Sequence, residues 1–396
     1  MITALLISWL FTVSIQLIYV IFIYSRTAFY RPSAHLRDVS QANLADESPV
    51  GVSVIVCARN ELMNLTELLP LLNDQQYPRF EVLVMDDRST DGTQQFLENN
   101  IARFQYIRFI RIDKEHEHVT PKKYALTIAL KKAIYPVALL TDADCRPPST
   151  DWITGLVSPL LTEPRAITLG FSPYEYRPGF LNLLIRSETL FTAVHYFSLA
   201  LSGWPYMGVG RNLAYQTRLF FTNRGFYSHK NVVGGDDDLF INEVATARNT
   251  AVCLDPATFM WSKPKETWAE WRLQKQRHLN VGKYYRPANK IRLGLLTGSH
   301  VLTWLLALVI GLIMVESTAV GYSFTDKEWL LLRIGTGAFL VRLLSFWVIV
   351  GRISYRLAHT VHWVSMPFID GLLAMYYGLA GSKTLLTRRR KRLYWR

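Results

Sequence analysis

Asp142 and Asp144 stand one residue apart in TDADCRPPS (141–149), directly after the apolar run PVALL. Paired carboxylates are hard oxygen ligands and suit Mg²⁺ or Mn²⁺, in a shell completed by substrate phosphates and water. An acidic turn is the alternative, and the pair alone does not decide. A second cluster, GGDDDLF (234–240), packs Asp236, Asp237 and Asp238 between two glycines and an apolar pair. Neighbouring carboxylates raise one another's pKa, which suits a general base that takes a proton from a hydroxyl. A solvated acidic loop is the alternative here.

Asp86 and Asp87 close FEVLVMDD, and RSTDGT follows. That reads either as a turn with a helix cap, or as strand-end carboxylates accepting hydrogen bonds from a nucleobase or ribose. In the second reading Asn60 and Glu61 line the opposite wall. Lys122 opens KKYALTIALKKAI and is either a solvated charge or a phosphate or ribose contact. In QKQRH (274–278), Gln274 and Arg277 lie three apart on one helical face. Arg277 could stabilise a diphosphate leaving group; the alternative is a basic interfacial helix, which Trp261, Trp268 and Trp271 support. His116, His118, His195 and His229 form no ligand spacing. The absence of Walker A, GxSxG and HExxH patterns counts against a P-loop NTPase, a serine hydrolase and a zincin.

These residues need a scaffold. VGVSVIVC (50–57), FEVLVMDD (80–87), YIRFIRID (106–113) and PVALLTDAD (136–144) read as strands. Helical patterns over 60–76, 92–104 and 122–134 lie between them. Strand–helix alternation predicts a parallel, doubly wound sheet, whose ligands bind at the carboxyl ends of the strands. The polar clusters ARNE, DDRSTDGT and DAD all fall there.

Outside this region the 396-residue chain is apolar in blocks: half of its residues are hydrophobic. Met1–Tyr24 carries no charged side chain, and further apolar runs cover Leu293–Val315 and Trp329–Val350. Each is long enough to span a bilayer as a helix. A fourth run, Leu357–Ala380, holds His359, His362, Pro367 and Asp370, so a re-entrant or interfacial segment competes with a further span. Arg26 and Arg31 after the first run, and Lys283, Arg286, Lys290 and Arg292 before the second, place the intervening region in the cytosol by the positive-inside rule. RRRKR (388–392) asks for the same side. The formal charge of +13 concentrates beside apolar runs, where anionic headgroups account for it better than nucleic acid does. Cys57, Cys145 and Cys253 show no metal or redox spacing, and a reduced compartment fits.

Taken in order, VSVIVCARNE, VLVMDDRSTDGT, KKYAL, DAD, GVGRNLAY (208–215), GDDDL and QKQRH resemble the motifs of membrane-bound family 2 glycosyltransferases, a group that includes cellulose, hyaluronan and ceramide-glucose synthases. The likeness covers residues 50–280. It implies an α/β GT-A fold, a Rossmann-like doubly wound and mostly parallel sheet, with N- and C-terminal transmembrane helices. The domains expected are an anchor over 1–25, a linker over 26–49 and a cytosolic catalytic domain over 50–260. Interfacial helices over 261–292, a C-terminal membrane region over 293–380 and a basic tail over 381–396 follow. The setting implied is a bacterial inner membrane.

The resemblance implies inverting transfer from a nucleotide-diphosphate sugar, with UDP favoured by the family as carrier. Ala58, Asn60, Glu61, Asp86, Asp87, Lys122 and Asp142 then belong to the nucleotide side, and Gly210 and Asn212 to the segment lining the sugar and acceptor. Asp142 and Asp144 match the metal motif for Mg²⁺ or Mn²⁺, Asp237 the catalytic base with Asp236 as runner-up, and Gln274 and Arg277 the QxxRW motif. One position departs: His278 stands where the family has Trp beside the acceptor, which leaves acceptor type and processivity open. The short C-terminal membrane region favours one transfer to a lipid-linked or membrane-embedded acceptor over a processive polysaccharide synthase. A non-catalytic nucleotide-binding scaffold is a third reading, against which the intact acids count.

Overall fold

The computed structural model describes residues 1–32, 42, 49–162, 164–320, 323–358, 361 and 363–386. Most of the expected linker, His359, His362 and the RRRKR tail lie outside the described residues. Two compact units are present, one formed by Met1–Tyr30 with Pro287–Lys391, the other by Arg31–Arg286. The first helix, α1 (Ile2–Ala28), belongs to the former.

The second unit is built on a seven-stranded sheet. Strands β1 (Val52–Ala58), β2 (Phe80–Asp87), β3 (Ile107–Ile112) and β4 (Val137–Asp142) run parallel. Every residue of β1 and β2 is buried, as an apolar, β-branched run requires when helices cover both faces. Helices α2 (Leu62–Asn73), α3 (Thr93–Asn100) and α4 (Pro121–Lys132) make the connections. In α2 the buried residues are Leu65, Leu68, Leu69 and Leu72, one stripe at helical spacing laid on the sheet. Each contributes roughly 1.5–3 kcal/mol by leaving water.

Register fixes where the strand ends fall. Ala58 is level with Asp86, and Cys57 with Asp142, so three of the sequence-flagged residues reach one edge together. β4 stops at Asp142 rather than Asp144, and a turn carries Ala143 and Asp144 into β5 (Cys145–Arg146). After α5 (Trp152–Val157), the sheet continues through β6 (Ile167–Leu169), β7 (Leu213–Gln216) and β8 (Thr250–Val252), in the order β3-β2-β1-β4-β7-β6-β8. β7 is antiparallel to both β4 and β6, so the sheet is mostly, not wholly, parallel. A separate pair joins β5 to β9 (Trp261–Ser262). Helices α6 (Phe180–Leu201), α7 (Thr217–Thr222), α8 (Asp238–Val244) and α9 (Trp268–Val281) complete the unit.

The first unit adds α10 (Pro287–Val320), α11 (Asp326–Arg356) and α12 (Met366–Leu386) to α1. Three helices, Ile2–Ala28, Pro287–Ala319 and Asp326–Arg356, are long and apolar enough to cross a membrane. Both C-terminal spans extend beyond the apolar runs that announced them, because their polar ends also take up helix. Inside this unit Asp370 on α12 is fully buried and pairs with Arg342 of α11, itself 1% exposed. His300 Nε2 lies 2.8 Å from Asp370 Oδ1, and Trp304 Nε1 donates to Oδ2 at 3.0 Å. Arg342 Nη2 also donates to Gln16 Oε1 at 3.1 Å, and Gln16 Nε2 donates to Ser299 Oγ at 2.8 Å. The acid that looked expensive in the sequence is thus paired directly from α10 and α11, and through Arg342 and Gln16 it is linked to α1.

Candidate active site

Two loops meet at the carboxyl edge of β1 and β2. Asn60 Oδ1 accepts from the Thr90 amide at 2.8 Å, and the Asn60 amide donates to Ser89 Oγ at 2.9 Å. Asp86 has no exposed surface: it pairs with Arg111 of β3 and accepts from the Ser89 amide at 3.3 Å. Asp87 is held by Arg88 Nε at 2.7 Å. Both carboxylates are therefore already occupied in fastening strand ends to loops, and buried Ala58 completes that floor. Glu61 accepts from Asn64 Nδ2 at 2.6 Å. Burial raises its pKa against that hydrogen bond, and Asp144 and Asp142 add to the rise.

Lys122, in the first turn of α4, joins two of the acid clusters. Its Nζ lies 2.8 Å from Asp142 Oδ1 and 3.2 Å from Asp236 Oδ2. Burial alone would lower its pKa, but Asp142, Asp236 and Asp237 hold it well above the ordinary range. Asp144 is raised, first by burial and then by Asp142, with Arg211 and Lys265 opposing. Two hard carboxylates that repel each other in a poorly solvated turn are a donor set that a small divalent cation relieves. Among the described residues no third His, Cys, Asp or Glu joins them, so a cation held here would have room in its shell for phosphate and water.

The glycines before the second cluster shape it. Gly234 and Gly235 have φ of 81° and 71°, a left-handed pair that side chains disfavour, and they turn the chain so that the three acids point different ways. Asp236 is buried against Lys122; burial would raise its pKa, but Lys122 holds it below the usual range. Asp237 caps α8, with Oδ1 accepting from the Asp238 amide at 2.8 Å and Oδ2 from the Gly210 amide at 2.5 Å. Burial, and then Asp236, push its pKa up to about 6. Asp238 turns away and accepts from the Tyr285 hydroxyl at 3.3 Å.

The remaining motif residues divide. Gly210 meets Asp237 directly, and a Cβ there would sit 3.0 Å from Oδ2. Asn212 is fully buried: it accepts from Trp152 Nε1 at 2.9 Å and donates to the Phe171 and Thr258 carbonyls at 2.6 and 2.8 Å. Its amide is spent on clamping β7. Gln274 Nε2 donates to the Tyr174 hydroxyl at 3.0 Å, while Arg277 Nε is buried without a partner among the described residues. His278 is exposed on α9. Its neighbour Lys275 pairs with Glu188 of α6, which fixes the helix that carries Gln274 and Arg277.

Two functional candidates escaped the sequence reading. Arg211 sits between Gly210 and Asn212 in a motif that was noticed for its other members. Lys123, read only as Lys122's charged neighbour, is 1% exposed and donates from Nζ to the His229 and Val232 carbonyls, each at 2.7 Å. Burial lowers its pKa to about 8, against Asp236, Asp237 and Glu243. It pins the turn that leads into the acid loop. Doubled lysines at a helix start were the only signal for it.

Residues 53–218 match the domain described as glycosyl transferase family 2. Among solved structures, a mannosyltransferase from Pyrobaculum calidifontis in complex with GDP-Man and Mn²⁺ aligns over 90% of this chain and 99% of its own, at 18% identity and a TM-score of 0.56. S. aureus TarS 1-349 in complex with UDP-GlcNAc aligns over 85% and 92%, at 16% identity and a TM-score of 0.41. No curated protein matches the chain by sequence. The first of these likenesses is one of fold, the GT-A arrangement of a mostly parallel central sheet with helices.

Proposed function

We propose, on the match of residues 53–218 to the glycosyl transferase family 2 domain, that the chain transfers a sugar from a nucleoside-diphosphate sugar to a lipid-linked or membrane-embedded acceptor, with inversion, at the cytosolic face of a membrane. The observation that carries this reading is Lys122, whose ammonium touches both Asp142 at the end of β4 and Asp236 of the acid loop. It brings the diphosphate end and the proton-accepting end of a transferase within one side chain's reach.

Asp237, with a pKa near 6, is mostly ionised at neutral pH and close enough to that pH to accept a proton efficiently. It takes the proton of the acceptor hydroxyl. The hydroxyl oxygen then bonds to the anomeric carbon from the face opposite the diphosphate, and the carbon–oxygen bond on that face breaks, its electron pair leaving with the nucleoside diphosphate. The amides of Gly210 and Asp238 keep the carboxylate aimed, while Lys122 keeps Asp236 ionised beside it. Mg²⁺ or Mn²⁺ held by Asp142 and Asp144 would supply neutralisation of the diphosphate charge. Arg277, whose buried Nε has no partner among the described residues, donates to the departing diphosphate.

Three helices long and apolar enough to span a membrane support a membrane-borne acceptor, and the basic residues that flank them support the cytosolic orientation. The test is nucleoside diphosphate release by the detergent-purified chain from a panel of UDP- and GDP-sugars, with and without lipid extract. Release from one donor that needs both metal and lipid, and that collapses in Asp237→Asn, is expected. Full turnover by Asp237→Asn sinks the mechanism. Nucleotide binding without release from any donor favours the scaffold reading.

A further inference from the structure

Arg211 lies in the turn that leads into β7, and the structure holds it tightly while leaving part of it unused. Its guanidinium lies 4.4 Å from the centre of the Tyr174 ring. Nη2 donates to the Ser172 carbonyl at 3.3 Å, whereas Nη1 is buried and has no hydrogen-bond partner among the described residues. The Tyr174 hydroxyl in turn accepts from Gln274 at 3.0 Å, so the stacking ring is itself fixed.

Backbone pairing shows what this stack faces. Tyr174 bridges to Ser262, and Ser262 pairs with Cys145, the residue after Asp144. Two strand spacings of about 5 Å each separate the ring's backbone from the turn that holds the acid pair. On its other side Arg211 follows Gly210, whose amide donates to Asp237 Oδ2 at 2.5 Å. The guanidinium is therefore set between the diphosphate end of the site and the proton acceptor. Burial would lower its pKa, but Tyr174, Cys145, Asp144 and Asp142 keep it above its ordinary value. A half-buried, permanently charged fork whose buried Nη1 has no partner among the described residues suits an anion.

Resting on the transferase reading, we propose that Arg211 binds the β-phosphate of the donor, the phosphate next to the anomeric carbon, and that Tyr174 is the positioning residue that presents it. A lysine at this place would keep the charge but lose both the stacking plane and the fork.

The experiment is calorimetric titration of the full chain in detergent with UDP and GDP, and with UMP and GMP, in Mn²⁺ and again in EDTA. For the base that wild type prefers, Arg211→Gln is expected to weaken the diphosphate about 10- to 100-fold and the monophosphate less than about threefold. The loss should persist in EDTA, because it is a guanidinium contact and not a metal ligand that is removed. Arg211→Lys should recover part of it. Tyr174→Phe keeps the ring and should stay within about threefold of wild type, whereas Tyr174→Leu should reproduce the diphosphate-selective loss. Equal losses for mono- and diphosphate, or no loss, overturn the proposal. Should Arg211→Gln not fold, Tyr174→Leu against Tyr174→Phe decides alone by the same criterion. Wild type that binds neither UDP nor GDP overturns the transferase reading itself, a result distinct from a variant that binds as wild type does.

Discussion

Each of the two units buries a knot of charge, and they finish it differently. In the membrane-type unit Asp370 meets Arg342, His300 and Trp304, and Arg342 is shared with Gln16. One carboxylate is answered directly from two neighbouring helices and through Arg342 from a third, in a circuit that needs nothing from outside. In the sheet unit Asp142 and Asp236 share Lys122, Asp144 is raised by burial and then by its neighbour's charge, and Asp237 rests on two amides. Here negative charge is in excess, while Arg211 Nη1 and Arg277 Nε stay unpartnered among the described residues. A closed circuit holds helices together; the open one suits, on the function proposed above, a cation at the acids and an anion at the guanidiniums.

Asp237→Asn should break the comparison most sharply, because the same change harms rate and helps stability. Loss of a general base costs about 10²- to 10⁴-fold in kcat, measured as nucleoside diphosphate release. The folded pKa near 6 lies above the ordinary carboxylate value, so burial favours the protonated form. The sign follows: the group's stabilising effect is present at low pH and is lost as pH rises through about 6. Asn, neutral throughout, should therefore raise stability at pH 7 by on the order of 1–3 kcal/mol. In wild type the rate should fall as pH drops through 6, by about tenfold per unit well below it, because the base acts only when ionised.

Asp370→Asn should do the reverse. It strands a buried guanidinium and costs about 3–5 kcal/mol, read as a drop in the thermal unfolding of the detergent-purified chain, with kcat at permissive temperature changed little. The paired change Arg342→Met with Asp370→Leu should recover most of the loss. A double variant as unstable as the single one would show that the circuit is not what holds these helices. Gly210→Ala is a smaller probe. Its Cβ would press on Asp237 from 3.0 Å, so kcat should fall about tenfold with donor affinity nearly unchanged.

Much of the open site was readable because it is local. A turn straight after β4 must present Asp142 and Asp144 at the sheet edge, and the parallel register sets Cys57 level with Asp142 and Ala58 level with Asp86 at that same edge. Which acid does what was not readable. That depends on the left-handed turn at Gly234 and Gly235, and on the Gly210 amide, 27 residues away in sequence. Asp86, Asp87 and Asn212 read as ligand contacts, and in the structure they also fasten strand ends to loops; polar residues at strand ends serve for fastening and for binding alike. Arg211 and Lys123 were hidden by more conspicuous neighbours. The closed circuit was illegible for a different reason: Gln16 and Arg342 are 326 residues apart, and no spacing or period announces such a pairing.

The most direct test is thermal unfolding of wild type, Asp144→Asn and Asp370→Asn, each alone and with Mn²⁺ plus the nucleoside diphosphate that wild type binds. An open site predicts a rise in wild type with both ligands together, about 2.7 kcal/mol at a hundredfold excess over Kd. It predicts that Asp144→Asn starts more stable than wild type and loses most of the rise, and that Asp370→Asn starts less stable and keeps the rise in full. Asp144→Asn starting less stable than wild type, or responding to the ligands as wild type does, would contradict the account.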